Sequence, residues 1–88
     1  MIIVDVNVLI YAVDSDAPQH TRARRWLEHT LSGDTPVGLA WPVVLAFLRI
    51  TTRAGVLRFQ LPVERAIEFI DEWLAQPYVT LILPGDAH

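Results

Sequence analysis

Apolar residues along the chain fall into short β-branched runs and longer stripes at helical spacing, which together predict three strands and four helices. The first run, residues 2–6, is apolar on both faces except at Asp5, which suits a central strand covered on both sides. Two more strands are predicted over residues 36–40 and 79–83, each preceded by two helices. Strands that alternate with helices in this way are typical of a parallel α/β sheet.

The predicted helix boundaries come from capping residues and prolines. Asn7 is available as an N-cap for the first helix, and Asp16 and Gln19 have capping-box spacing before the second. Pro42 and Pro62 suit the beginnings of the third and fourth helices. The residues expected to face the core are Ala23, Trp26, Leu27 and Leu31 in the second helix and Ala66, Ile67, Ile70, Trp73 and Leu74 in the fourth.

The order of the strands in the sheet decides which of its faces is covered. Because crossovers between parallel strands are right-handed, strands in the order 1-2-3 would place every helix on one face. The other face would then be a bare apolar surface. Residues after His88, a partner chain or a different strand order could cover it. The alternative is a compact small domain in which the helices wrap both faces.

Composition predicts a single small domain of 88 residues. The hydrophobic content of 52% with three Trp is too high for a disordered segment. No apolar run reaches the roughly 18 residues of a membrane helix, and no basic region precedes the apolar N-terminus as in a signal peptide. The default expectation is therefore a cytoplasmic protein with no membrane association.

Charge gives little support for general nucleic-acid binding, since the formal net charge is −3 and such proteins usually present a basic face. All seven basic residues are Arg, and none is Lys. Arg can bind phosphate through two parallel hydrogen bonds. The same composition is also what a GC-rich genome tends to produce, and both explanations stay open.

Asp5 is the main candidate for chemistry. It follows an apolar strand, and open α/β sheets place their ligands at the carboxyl ends of strands. A carboxylate among apolar neighbours needs a partner, and Mg²⁺ or Mn²⁺ is one such partner. The competing interpretation is structural: Asp5 caps the following helix or accepts backbone N–H bonds.

Several segments resemble PIN-domain ribonucleases, specifically VapC-type toxins of type II toxin–antitoxin systems. The opening resembles that of PIN domains: an apolar strand, an Asp, any residue, then Asn and an apolar helix. Later segments continue the similarity in the same order, so the resemblance extends along the whole chain. The segments are residues 4–12, 16–27, 37–41 and 47–52, and then Ala66, Trp73, Leu74, Pro77 and Val79.

The resemblance implies a metal-dependent endoribonuclease that a cognate antitoxin neutralises, with RNA as substrate and a homodimer as the expected assembly. Asp5 would be the catalytic metal ligand for Mg²⁺ or Mn²⁺. Asn7 would orient Asp5 or a water molecule, although a plain helix cap is an equally good interpretation. Arg49 would contact RNA phosphate or pair with an acidic helix end.

The implied fold is a three-layer α/β arrangement, a PIN-like parallel sheet with flanking helices. Residues 1–88 would then form a single, incomplete PIN domain that lacks the C-terminal strands. On this interpretation the chain is the N-terminal portion of a longer toxin.

The acidic cluster of such enzymes is incomplete in this sequence. Phe47 stands where many PIN domains carry a Glu, and no acid occurs between Trp41 and Gln60. Asp86 is interpreted as a turn residue, and His20 and His29 as solvated side chains.

We therefore expect a truncated form with little or no nuclease activity. The alternative is a non-catalytic fragment that only binds an antitoxin or dimerises. A phosphatase of the haloacid dehalogenase type is disfavoured, because Asn7 occupies the place of its required second Asp.

Overall fold

The computed structural model describes residues 1–58 and 60–85, which form a parallel sheet of three strands with four helices. This arrangement confirms the predicted α/β class and the predicted order of elements. The strands are β1 (Ile2–Ile3), β2 (Val37–Ala40) and β3 (Val79–Ile82). The helices are α1 (Val6–Val13), α2 (His20–Ser32), α3 (Trp41–Thr52) and α4 (Val63–Leu74).

The strands lie in the order β1-β2-β3, so β2 is the central strand of the described sheet. Both pairings are parallel, with Ile2 opposite Val37 and Val37 opposite Val79. The prediction that the first strand is central was wrong for this sheet, because β1 pairs with β2 alone. A strand that is apolar on both sides can be covered on both faces. This pattern does not show how many other strands pair with it.

One face of the sheet carries the core. Val37 and Leu39 of β2 point to this face and are completely buried, and Val79 of β3 beside them is 9% exposed. Helix α3 contacts β2 and helix α4 contacts β3, and α1 packs against both α2 and α3. The core therefore lies between this face and the helices.

The opposite face is largely open. Successive strand residues alternate between faces, so Ile3, Gly38 and Ile82 share this one. A Cβ atom built on Gly38 would lie 2.5 Å from Cδ1 of Ile82 and 2.9 Å from Cδ1 of Ile3, so these side chains lean over the glycine. Ile3 nevertheless remains 56% exposed, and Met1, which also reaches Gly38, is 70% exposed. Within residues 1–58 and 60–85 the open apolar face predicted from the strand order is present.

Aromatic packing joins α3 to α4. The ring of Phe47, which is completely buried, meets Trp73 edge-on at a centroid distance of 5.0 Å. Trp73 in turn stacks on Phe69 at 6.0 Å. Two residues predicted for the core lie farther out, since Trp26 and Ile67 are each 43% exposed. Both lie at the margin of the buried face of their helix. At such positions helical spacing alone does not distinguish a buried residue from a partly exposed one.

Two predicted helix starts were wrong. Asp5, not Asn7, precedes α1, and it makes no side-chain capping hydrogen bond. The capping box of Asp16 and Gln19 does not form, because Oδ1 of Asp14 accepts the Asp16 backbone N–H at 3.1 Å, and α2 begins only at His20. The starts of α3 and α4 beside Pro42 and Pro62 are confirmed. No helix in the described ranges is both long and apolar enough to span a bilayer.

Candidate functional site

Asp5 lies at the carboxyl end of β1 and directly precedes α1. Its backbone is extended, with φ −77° and ψ 147°, and its carbonyl oxygen accepts the N–H of Val8 at 3.2 Å. The side chain is exposed and does not cap the helix. The carboxylate therefore projects to solvent at the edge of the sheet where ligands of open α/β folds bind.

The amide of Asn7 holds this carboxylate from the first turn of α1. Its Nδ2 donates to Oδ2 of Asp5 at 3.3 Å, a long hydrogen bond between two exposed side chains. The contact leaves Oδ1 of Asp5 available to a ligand. It is the geometry that an orienting role for Asn7 requires, and that role stays a prediction.

The carboxyl ends of parallel strands lie at the same edge of a sheet, so the residues after β2 and β3 share this edge with Asp5, and β2 lies between β1 and β3. β2 ends at Ala40 and is followed directly by Trp41, and residues 83–85 after β3 are Leu, Pro and Gly. None of these carries a carboxylate. Asp86, predicted to be a turn residue, lies outside the described residues.

Phe47, which the sequence places where a Glu was expected, belongs to the core. It is completely buried against Trp73, away from solvent. In the part of the chain that the structure describes, no three His, Asp or Glu side chains come together as metal ligands. Mg²⁺ in proteins is usually anchored by one or two carboxylates together with substrate phosphates and water. Asp5 alone does not fit a complete site for the ion.

Arg49 lies on α3, eight residues after Trp41, which places it about 12 Å along the helix from the carboxyl edge of the sheet. It is exposed and lines a shallow groove between α3 and α4 with Leu45 and Ile67. Contact with RNA phosphate and pairing with an acidic helix end both remain predictions for Arg49.

The two histidines of α2 differ from each other. Nδ1 of His20 lies 2.9 Å from the carbonyl oxygen of Tyr11, which fixes this ring nitrogen as the donor, and the side chain is part-buried. Interpreting His20 as a solvated side chain was therefore wrong, since it joins α2 to α1. His29 is exposed, as predicted.

Sequence reasoning did not find a groove of about 650 Å³ between the end of α1, α2 and α4. Leu27, Leu31, Phe69 and Trp73 give it an apolar lining. The charged side chains at its rim are Arg24, Glu28, Arg65 and Glu72. The spacing of the apolar residues on each helix was visible in the sequence. That α2 and α4 stand apart by a groove's width is a tertiary feature that no local pattern shows.

A three-stranded parallel sheet with four helices is consistent with part of a PIN fold. The chain is homologous over its full length to the VapC ribonucleases. It is 48% identical over 88 residues to Ribonuclease VapC33 of Mycobacterium tuberculosis, a match that covers 100% of this chain and 62% of VapC33. Ribonuclease VapC37 of the same species is 44% identical over 88 residues, with 61% of VapC37 covered.

Ribonuclease VapC43 of Mycobacterium tuberculosis is more distant, at 35% identity over 88 residues and 60% of its length. The chain thus spans about three fifths of the length of these curated relatives, as expected of an N-terminal portion. No family model matches the chain.

Proposed function

We propose that these 88 residues form part of a metal-dependent endoribonuclease toxin in which Asp5 is one ligand of Mg²⁺ or Mn²⁺. The observation that carries the proposal is the Asp5 carboxylate at the carboxyl edge of the sheet, held by Asn7, in a chain 48% identical to a ribonuclease. A hard oxygen ligand in a solvent-exposed position suits these ions.

By themselves, these residues are expected to cleave RNA little or not at all. Asp5 is the one acid that the described residues bring to the ligand-binding edge, and Phe47 fills the place of a second with a buried ring. A single carboxylate with water would hold the ion weakly. Activity would therefore depend on additional carboxylates brought to the same edge.

The second candidate function is binding of an antitoxin without catalysis, which the groove between α1, α2 and α4 favours. Val13 and Phe69 of its apolar lining are half-buried and can meet apolar anchors, and the charged rim offers polar contacts around them. Such a groove fits an amphipathic helix that inserts residues at i, i+3, i+4 and i+7. Neutralisation by an antitoxin and the identity of the RNA substrate are part of the same proposal.

A chimera tests the catalytic role. Residues 1–88 of this chain would replace the aligned 62% of VapC33, which leaves the remaining part of VapC33 in place. We expect Mg²⁺-dependent cleavage of RNA by the chimera, because the relative would supply the missing ligands. Asp5→Asn should lower the cleavage rate by roughly a hundredfold or more, since it removes a charged oxygen ligand.

Asp14→Asn is the matched control, because it makes the same chemical change at the end of α1 and should leave the rate within about twofold. Persistent cleavage by the Asp5→Asn chimera would remove Asp5 from the metal site. A folded chimera that cleaves no RNA would contradict the catalytic role and favour antitoxin binding.

A further inference from the structure

Helix α2 carries a row of four exposed side chains on the side away from the core. Their spacing of i, i+3, i+4 and i+7 places them on one side of the helix. The buried residues of α2 lie on its opposite side, which packs against α1. We call this row the α2 basic face, and it consists of Arg22, Arg25, Trp26 and His29.

The positive charge of the α2 basic face is not neutralised by neighbouring acids. Glu28 is the one acid of α2, and it accepts from Arg24 at 2.9 Å on the side of the helix that lines the groove. In the part of the chain that the structure describes, neither Arg22 nor Arg25 forms a salt bridge. Two guanidinium groups one turn apart repel each other within the protein and attract an anion from outside it. A local basic surface therefore exists on a chain whose formal net charge is −3.

Trp26 adds an aromatic plane to this surface. The side chain is 43% exposed, and among the described residues no other aromatic ring packs on it. Arg22 lies one turn before Trp26 and Arg25 directly precedes it, so both long side chains reach the surroundings of the indole. A planar group stacked on the indole would therefore have its attached phosphates beside two guanidinium groups.

Single-stranded RNA suits this combination better than other polyanions do. Its unpaired bases stack on aromatic rings while Arg side chains contact the phosphates. The paired bases of a duplex are stacked on one another and do not offer a face to Trp26. An acidic peptide would meet the two Arg but would leave the indole without a stacking partner.

An anionic membrane also suits the α2 basic face poorly. A helix that lies in a membrane interface inserts its apolar side into the bilayer. The apolar side of α2 is buried in the protein, and Trp26 is the one apolar side chain that its outer side exposes. Charge would attract the helix to anionic lipids, but no apolar side remains to hold it there.

We propose that the α2 basic face binds single-stranded RNA, with Trp26 stacked on a base and Arg22 and Arg25 paired with the neighbouring phosphates. The inference is independent of the nuclease proposal, since it uses neither Asp5 nor a metal ion. Binding is weak and depends on salt. For single strands the logarithm of the binding constant falls with the logarithm of salt concentration with a slope of about −0.7 per phosphate contact, so two contacts give about −1.4.

Fluorescence anisotropy of a labelled oligouridylate of about twelve nucleotides, titrated with the chain in EDTA, measures this binding without metal-dependent cleavage. We expect a Kd on the order of 10⁻⁴ M at low salt. Trp26→Ala should raise the Kd at least about fivefold, and Trp26→Phe should restore most of the affinity because it keeps an aromatic ring. Arg22→Ala and Arg25→Ala should each reduce the magnitude of the salt slope by about 0.7.

Two exposed residues elsewhere provide matched controls. Arg53→Ala removes the same charge at the end of α3, and Tyr78→Ala removes an aromatic side chain that is 49% exposed. Both should leave the Kd within about twofold, and circular dichroism establishes that each variant is folded.

Three results would overturn the proposal. The first is a chain that binds no oligouridylate at roughly 1 mM protein. The second is a Kd that Arg53→Ala and Tyr78→Ala raise as much as the variants of the α2 basic face do. The third is equally tight binding to polyglutamate or to vesicles containing phosphatidylserine, because negative charge alone or a lipid surface would then be the ligand.

Discussion

Replacing Phe47 by Glu is expected to abolish the cooperative thermal unfolding of the chain, although it restores the residue type found at this place in many PIN domains. Phe47 is completely buried and packs on Trp73 at 5.0 Å. Loss of the ring alone costs about 3–5 kcal/mol, and an unpaired carboxylate in its place adds several more. Native domains are stable by only about 5–15 kcal/mol, and small ones lie at the lower end.

Far-UV circular dichroism and a thermal melt measure this result, with Phe47→Leu as the control. Leu keeps an apolar side chain at the site, and we expect a cooperative transition at a lower temperature. A folded Phe47→Glu variant with a melting temperature near that of the wild type would show that this part of α3 can turn its side chain to solvent. Phe47 would then be a surface position available for metal binding, contrary to the core position assigned to it.

Trp73→Ala is expected to be the most damaging truncation on α4, with a loss of about 3–5 kcal/mol in the free energy of unfolding. Trp73 is 9% exposed and contacts both Phe47 and Phe69. Phe69 is also covered by the guanidinium of Arg65 at 4.4 Å from the ring centroid, so the truncation removes support from a larger stack. Urea denaturation measures the change.

Trp73→Phe retains an aromatic ring beside Phe47 and should cost roughly 1–2 kcal/mol. The exposed Trp26 provides a second control, because Trp26→Ala removes the same side chain from a position that is 43% exposed. Its effect should be about 1 kcal/mol or less. Equal losses at Trp26 and Trp73 would contradict the placement of the core between α4 and the sheet.

The order of strands and helices was predictable because each local signal agreed with the final fold. Pro42 and Pro62 mark true helix starts, and residues 79–82 form a strand where a strand was predicted. The starts of α1 and α2 were mispredicted because Asn and Asp side chains serve turns as readily as caps. At Asp14 the turn prevails, since its Oδ1 accepts the N–H of Asp16.

The open face of the sheet followed from the handedness of crossovers once the strand order was known. Its exposure shows in Ile3, which leans over Gly38 from the neighbouring strand. The groove between α2 and α4 was not predictable, because it depends on the distance and rotation between helices. Helical periodicity identifies which residues share one face, but it does not say which neighbouring helix stands opposite.

The candidate site was only partly visible in the sequence. Asp5 could be singled out because a carboxylate after an apolar strand is conspicuous, and the missing acid at Phe47 was visible by comparison with the family pattern. The hydrogen bond from Asn7 to Asp5 requires the structure, since the side chain could equally have capped the helix.

The role proposed for Asp5 is that of a metal ligand without sufficient partners in these 88 residues. Its most direct test is RNA cleavage by the purified chain alone, with Mg²⁺ or Mn²⁺ and with EDTA, beside the Asp5→Asn variant. We expect no cleavage above the EDTA background for either protein. Metal-dependent cleavage by the wild-type chain that Asp5→Asn abolishes would contradict it, because the chain would then hold a complete site.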